Sequence, residues 1–225
     1  MKKILLFVLF IVPVNLLAQD TVSLTDGTAV KTVKSPPHRV AILELYTSEG
    51  CSSCPPADRF LSNLKANAIS DRKLIAMAFH VTYWDYIGWK DRFAKKQYDQ
   101  RQRDLAHKSR KSTVYTPQFL LVGEDYRKHA SFNEDINKLL AQTATVDLEL
   151  SANMELDQNA FKSAQDEKLY LTLNTDISRS DVKDVGVYFA VLENNLFSEV
   201  DNGENDADQS PINYENSLKK VSGMT

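Results

Sequence analysis

At 225 residues, 43% hydrophobic and 25% charged, the chain has the composition of an ordinary globular protein with a sizeable core, in one large or two modest domains. The formal net charge of −3 argues against general nucleic-acid binding. No segment beyond the first residues is apolar enough to span a bilayer.

Lys2 and Lys3 precede an apolar run from Ile4 to Val14, followed by Leu16-Leu17-Ala18. Charged start, short apolar core and small residue describe a secretory signal peptide over residues 1–18, cut after Ala18. The run is shorter than the ~20 residues a membrane span needs, and Pro13 and Asn15 interrupt it. The expected location is therefore periplasmic or secreted, in an oxidising compartment where a disulfide persists. An uncleaved membrane anchor is the alternative. No cysteine follows the apolar run, which excludes a lipoprotein anchor.

Residues 19–38 are polar, end near Pro36-Pro37 and read as a leader or an edge strand. Val40 to Tyr46 is nearly continuous in apolar residues, the pattern of a strand buried on both faces. Ala57, Phe60, Leu61 and Leu64 then recur with helical period, and Pro55 and Pro56 suit the first helical turn. Leu74 to Val81 is a second strand. A thin apolar face (Phe93, Ala94, Tyr98, Leu105) predicts a surface helix from about Asp91 to His107. Gln118 to Val122 is a third strand, Gly123 to Asp125 a turn, and Tyr126 to Ser131 a returning hairpin strand. Ser131 or Asn133 caps a helix through Ile136, Leu139, Leu140 and Ala144.

The order strand, helix, strand, helix, strand, strand, helix favours parallel pairing by right-handed crossovers, closed by an antiparallel hairpin. That is a thioredoxin-like α/β pattern, a mixed sheet flanked by helices, expected over residues 39–145. From 146 to 225 the texture changes. Leu148, Leu150, Ala152, Met154 and Leu156 alternate with polar residues, as do Leu169, Leu171 and Leu173. Val185 to Leu192 and Leu196 to Val200 supply further strands. This part reads as a small antiparallel β-rich domain, incomplete if a partner strand for the end of the chain is missing.

Both cysteines fall in the nine residues Gly50-Cys51-Ser52-Ser53-Cys54-Pro55-Pro56-Ala57-Asp58, where the first strand hands over to a helix. The positive end of a helix favours a thiolate, and two intervening residues let one sulfur reach the other. A purely structural disulfide would close too short a loop to gain much entropy. In the redox reading Cys51 is the exposed nucleophile and Cys54 resolves the mixed disulfide. The alternatives are a Cu(I) site of Cys51, Cys54 and His80, and a non-catalytic interaction module. A structural zinc site would want a second cysteine pair, which the chain lacks.

Two other segments converge on the same rim. Thr116-Pro117 precedes the hairpin strand, and the order of elements predicts a cis bond there with its backbone facing Cys51. His80, Tyr83, Trp84 and Asp85 follow the second strand and should wall the cleft, His80 tuning the thiolate and Asp85 orienting the ring. A neutral, buried His80 satisfied by backbone is the rival reading. Charge is uneven: Lys90 to Lys111 holds nine Lys/Arg against three Asp, and Glu193 to Asp208 six acids and no base. A basic segment packed near the dithiol would help to lower a thiol pKa.

Thr47 to Asp58, His80 to Asp85 with Gly88-Trp89, Arg101-Gln102, Tyr115 to Gln118, and Gly203-Glu204-Asn205 stand in one order. Together, over about Val40 to Asn205, they resemble the secreted thioredoxin-like bacterial family called domain of unknown function 1223. Thr82 stands where that family usually has Asp, and the residues after Asn205 fit it poorly. The resemblance implies a thioredoxin-like domain with a β-rich C-terminal part and no established substrate. The expectation is a thiol–disulfide oxidoreductase acting on a protein or small thiol/disulfide, with no cofactor, no nucleic acid and no stable membrane span.

Overall fold

The computed structural model describes residues 21–25, 28–66, 72–155, 168–176, 187–194, 196–200, 204, 212–214 and 217–224. The expected signal peptide, Leu156 and Val185 lie outside them. Among the described residues twelve strands and three α-helices follow in chain order. They are β1 Thr21–Thr25, β2 Thr28–Lys34, β3 Ala41–Thr47, α1 Pro55–Ala66, β4 Leu74–His80, α2 Lys96–Lys108, β5 Gln118–Leu121, β6 Glu124–Asp125 and α3 Phe132–Leu140. The later strands are β7 Asp147–Glu155, β8 Lys168–Asp176, β9 Val187–Glu193, β10 Leu196–Ser198, β11 Ile212–Tyr214 and β12 Ser217–Met224. No described helix is long and apolar enough to cross a membrane.

The chain divides into two compact units, each built from two separate stretches of sequence. The first takes residues 1–35 and 148–176 and carries a four-stranded sheet in the order β1-β2-β7-β8. The expected leader is thus a hairpin, with β2 pairing antiparallel to β7 from Val30↔Asn153 to Lys34↔Glu149. The second unit takes residues 36–147 and 177–225 and holds a six-stranded mixed sheet, β6-β5-β3-β4-β12-β9. Its last two strands come from the region expected to form a separate β domain. β12 lies parallel to β4 through Ser217↔Ala78 and antiparallel to β9. Leu218 and Val221 thereby find strand partners in Leu192 and Ala190, which the sequence reading left unassigned.

Each face of this sheet has its own core. Ala41, Leu43 and Leu45 of β3 and Leu74, Ala76 and Ala78 of β4 pack with Leu61 and Leu64 of α1 and Phe132 and Ile136 of α3. Tyr46, Phe79, Val81, Leu120 and Tyr98 of α2 cluster separately, with Leu105 packed against them. Alternation along β3 assigns its residues to the two cores, as the pleat requires. Glu44 is the buried exception on β3. It accepts hydrogen bonds from the Tyr46 hydroxyl (2.8 Å) and from Arg101 Nε and Nη2 (3.1 and 2.6 Å), so its charge is paired.

Three local expectations change. Helix α2 starts at Lys96 because Asp91–Lys95 form turns, and its buried face is partly polar, with Asp99 and Gln102 beside Tyr98 and Ala106. The hairpin strand after β5 is Glu124–Asp125, reached through Val122 and Gly123 at positive φ (53° and 84°), and His129–Ser131 is a 3-10 turn. Ser131 precedes α3 as expected but makes no side-chain capping bond, and the helix ends at Leu140, short of Ala144.

Candidate functional site

β3 and β4 run parallel and end side by side at Thr47↔His80, so the chain leaves both strands on one rim. After β3 the backbone tightens: Cys51 N–H donates to Ser48 O (3.2 Å) and Cys54 N–H to Cys51 O (3.1 Å). Ala57 and Asp58 N–H then donate to Cys54 O at 2.9 and 3.1 Å and open α1. Pro55 and Pro56 occupy the first turn, where a missing N–H leaves nothing unsatisfied. A side chain at Gly50 would meet Ile87 Cδ1 at 3.1 Å, so glycine permits the close approach of the loop after β4.

Cys51 and Cys54 form a disulfide with Cα atoms 5.4 Å apart. Both are 0% exposed, which corrects the expectation of an exposed Cys51. Three groups converge on this turn. Thr116 Oγ1 donates to Cys51 Sγ at 3.4 Å and itself accepts from Trp84 Nε1 at 2.6 Å. Ser53 Oγ also lies 3.4 Å from Cys51 Sγ. Glu204 Oε2 accepts from Ser52 N–H (3.2 Å) and Ser52 Oγ (2.7 Å), and these bonds lower its pKa. β9 ends and β12 begins at Glu193↔Ser217, with Ser217 beside Ala78 near the same rim. Between them β10 and β11 pair antiparallel, and β11 lies against α1.

Behind the disulfide is a buried ionisable cluster. His80 Nδ1 meets Asp91 Oδ2 at 2.7 Å, with the two side chains 1% and 0% exposed. Burial pushes the His80 pKa down, but Asp91 with its hydrogen bond, then Asp58 and Glu49, raise it overall. Burial pushes Asp91 up, but His80 and the N–H groups of Glu49 and Phe93 hold it low. Glu49 Oε2 accepts from Trp89 Nε1 at 2.8 Å, and burial followed by Asp91 raises its pKa. Asp58 is buried with neither carboxyl oxygen in a hydrogen bond of normal geometry, and burial pushes it up to about 7.

The expected residues therefore meet on one rim with some roles changed. Thr116–Pro117 is cis, and the contact with Cys51 is made by the Thr116 side-chain hydroxyl. Trp84 steadies Thr116, and Tyr83 donates to Gln102 Oε1 at 3.2 Å. Asp85 does not orient His80: its Oδ1 accepts the Asp91 N–H at 3.2 Å, and Asp91 is the partner of the ring. Nor is His80 satisfied by backbone alone. The basic segment is engaged elsewhere, with Arg101 on Glu44 and Arg92 over the Phe93 ring (4.6 Å) and bonded to Phe197 O. Among the described residues no three His, Cys, Asp or Glu side chains are arranged to hold a metal ion.

Sequence reasoning assigned no role to Glu49, Asp58, Asp91 or Glu204. The usable signal was spacing, since Asp58 stands four residues after Cys54 on a helix and Asp91 follows closely on the His80 loop. Other residues of the quoted motifs prove to be supports. Gln102 Nε2 donates to Tyr115 O (2.9 Å) and Gln118 Oε1 (2.7 Å), fixing the segment that carries Thr116. Thr82 is held through its N–H and hydroxyl by Asp99, at 2.8 and 2.6 Å.

A family model described as "Protein of unknown function (DUF1223)" matches residues 42–225. The chain belongs to that family. The match runs through the residues after Asn205 that fitted poorly on inspection. No curated protein matches the chain. Protein AGR_C_4864 from Agrobacterium tumefaciens, a crystal structure, aligns at TM-score 0.54 with 23% identity, covering 83% of this chain and 73% of that one. The two share a fold. HBP35 of Porphyromonas gingivalis aligns at TM-score 0.49 with 12% identity, over 83% of this chain and 57% of that one.

Proposed function

We propose that this chain is a thioredoxin-like thiol–disulfide oxidoreductase acting through Cys51 and Cys54, exported by its apolar leader to a periplasmic or extracellular compartment. The observation that carries the reading is the setting of the disulfide. Closing a loop this short stabilises a fold by roughly 2 kcal/mol, against about 3 kcal/mol for a 15-residue loop. Beside it stand buried Glu49, Asp58, His80 and Asp91, and each buried ion costs several kcal/mol before it is paired. A crosslink kept for stability alone has no use for such neighbours. A dithiol that exchanges protons and electrons does.

Cys51 is the nucleophile in this reading, because Thr116 directs a hydroxyl at its sulfur and that bond favours a thiolate there. Cys54 sits at the start of α1 and closes the cycle by attacking a mixed disulfide on Cys51. The substrate is a protein or small-molecule thiol or disulfide. The test is exchange with a fluorogenic peptide disulfide. Wild type should turn it over, Cys51→Ser should abolish turnover, and Cys54→Ser should trap substrate on Cys51. Turnover that survives Cys51→Ser would refute the assignment.

A further inference from the structure

Breaking the Cys51–Cys54 bond leaves Cys54 as a thiolate in a place with no exposed surface. Such a thiolate needs a proton from within the protein, because an unpaired buried charge is costly. The Asp58 N–H donates to the Cys54 carbonyl at 3.1 Å, the bond that opens α1, so the two residues are joined through the first helical turn and both are buried there. The Asp58 side chain is 3% exposed, and neither oxygen makes a hydrogen bond of normal geometry. The fold keeps an acid at this buried position.

We propose that Asp58 is the proton partner of Cys54, an assignment that rests on the redox reading above. In reduction, the thiolate of an external dithiol attacks Cys51 Sγ and the Cys51–Cys54 bond breaks. Cys54 Sγ leaves with the electron pair and takes the Asp58 carboxyl proton, directly or across one water. The second thiol of the external reagent loses its proton to solvent and, as the thiolate, attacks its own sulfur on Cys51, releasing a cyclic or linked disulfide and a Cys51 thiolate. Two electrons have passed from the dithiol to the pair. In the opposite direction, with a substrate thiol disulfide-bonded to Cys51, Cys54 gives its proton to the Asp58 carboxylate. Its thiolate attacks Cys51 Sγ and expels the substrate thiolate.

The groups around Asp58 suit both directions. Burial raises its pKa most, and the Asp91 charge adds to that. His80, the Thr47 hydroxyl and Arg59 oppose it, leaving the acid at about 7. Glu49 faces His80 from the loop before Cys51 and belongs to the same electrostatic set. Acid and carboxylate are then both populated near neutral pH, as a reversible proton carrier requires.

The experiment uses the reduced protein and dithiobis(nitrobenzoate). The first thionitrobenzoate is released on attack by Cys51, and the second when Cys54 resolves the adduct, followed by stopped flow from pH 5 to 9. In wild type the second step should show an inflection near 7. Asp58→Asn should slow it about 10²-fold at neutral pH and remove the inflection, and Asp58→Glu should restore part of the rate. An unchanged rate and profile in Asp58→Asn would overturn the assignment while leaving the redox reading intact. If wild type releases no second equivalent, the redox reading itself fails. If Asp58→Asn does not fold, carbon-13 titration of the Asp58 carboxyl in oxidised and reduced wild type decides. A midpoint that moves with redox state supports the coupling, and an identical one overturns it.

Discussion

His80 and Asp91 hold each other across 2.7 Å beneath the dithiol turn, from the end of β4 and the loop that follows it. The same Asp91 carboxylate accepts the Glu49 N–H at 2.9 Å, two residues before Cys51. The imidazole is therefore tied to the turn through a carboxylate.

Breaking that pair should be expensive. His80→Asn leaves Asp91 as an uncompensated buried charge, for which about 3–5 kcal/mol is the expected loss. The sign with pH follows from the shifts. The raised His80 pKa contributes stability that is full below about 6.5 and fades as pH rises through the folded value. The lowered Asp91 pKa contributes stability that is present above about 4 and lost as pH falls through its folded value. Urea unfolding should thus show the largest deficit between about pH 4 and 6.5. A deficit below about 1 kcal/mol there would mean that the pair is not a buried ion pair.

Asp58 should give a pH signature of the same sign as His80 and opposite to Asp91. Its folded pKa is raised from 3.8 to about 7, so its stabilising proton is held below the unfolded value and lost as pH climbs through the folded one. Wild type should lose stability between about pH 4 and 7, and Asp58→Asn should lose less. The Tm difference between variant and wild type should therefore move in favour of the variant by several degrees from pH 4.5 to pH 8. A difference independent of pH would contradict a buried, titrating acid.

Glu204 accepts two hydrogen bonds from Ser52, inside the dithiol turn. With both sulfurs buried, an attacking thiolate must displace something to reach Cys51. Glu204→Gln and Ser52→Ala each weaken the charge-assisted bonds and should speed dithiothreitol reduction of the disulfide several-fold, with the double variant no faster than the faster single one. Unchanged rates in both would show that this contact does not control access.

Thr116→Val removes the hydroxyl that Cys51 Sγ accepts from while keeping the shape of the side chain. A hydrogen bond of this kind contributes about 1 kcal/mol, or somewhat less than one pKa unit, in favour of the thiolate. In the reduced protein the Cys51 pKa, read by alkylation rate against pH, should rise by about that much, with Cys54 little changed. Wild-type Cys51 should also alkylate before Cys54. Equal labelling of the two would overturn their roles.

Much of this site was legible because local pattern and strand order determine it. The near-continuous apolar run before Gly50 gave β3, the prolines after Cys54 gave the start of α1, and the order of elements put Thr116 beside Cys51. What escaped depends on long-range pairing. β12 carries only Leu218 and Val221 as strong signals, and its place in the sheet is set by β4 and β9, far off in sequence. The leader's hairpin with β7 is equally non-local. Asp91 was read as the start of a helix whose apolar face begins at Phe93. Its real partner, His80, is fixed only when the loop after β4 folds back. The burial of Cys51 depends on tertiary packing of segments distant in sequence, which no local pattern reveals.

The central claim is that the Cys51–Cys54 pair is a working redox couple, and its reduction potential tests this most directly. The protein is equilibrated in graded dithiothreitol and glutathione redox buffers, quenched by alkylation and counted by mass. The account predicts a reversible two-electron transition at a potential above about −300 mV, outside the range of inert structural disulfides. A disulfide that resists reduction well below that potential, or that fails to re-form once reduced, would contradict it.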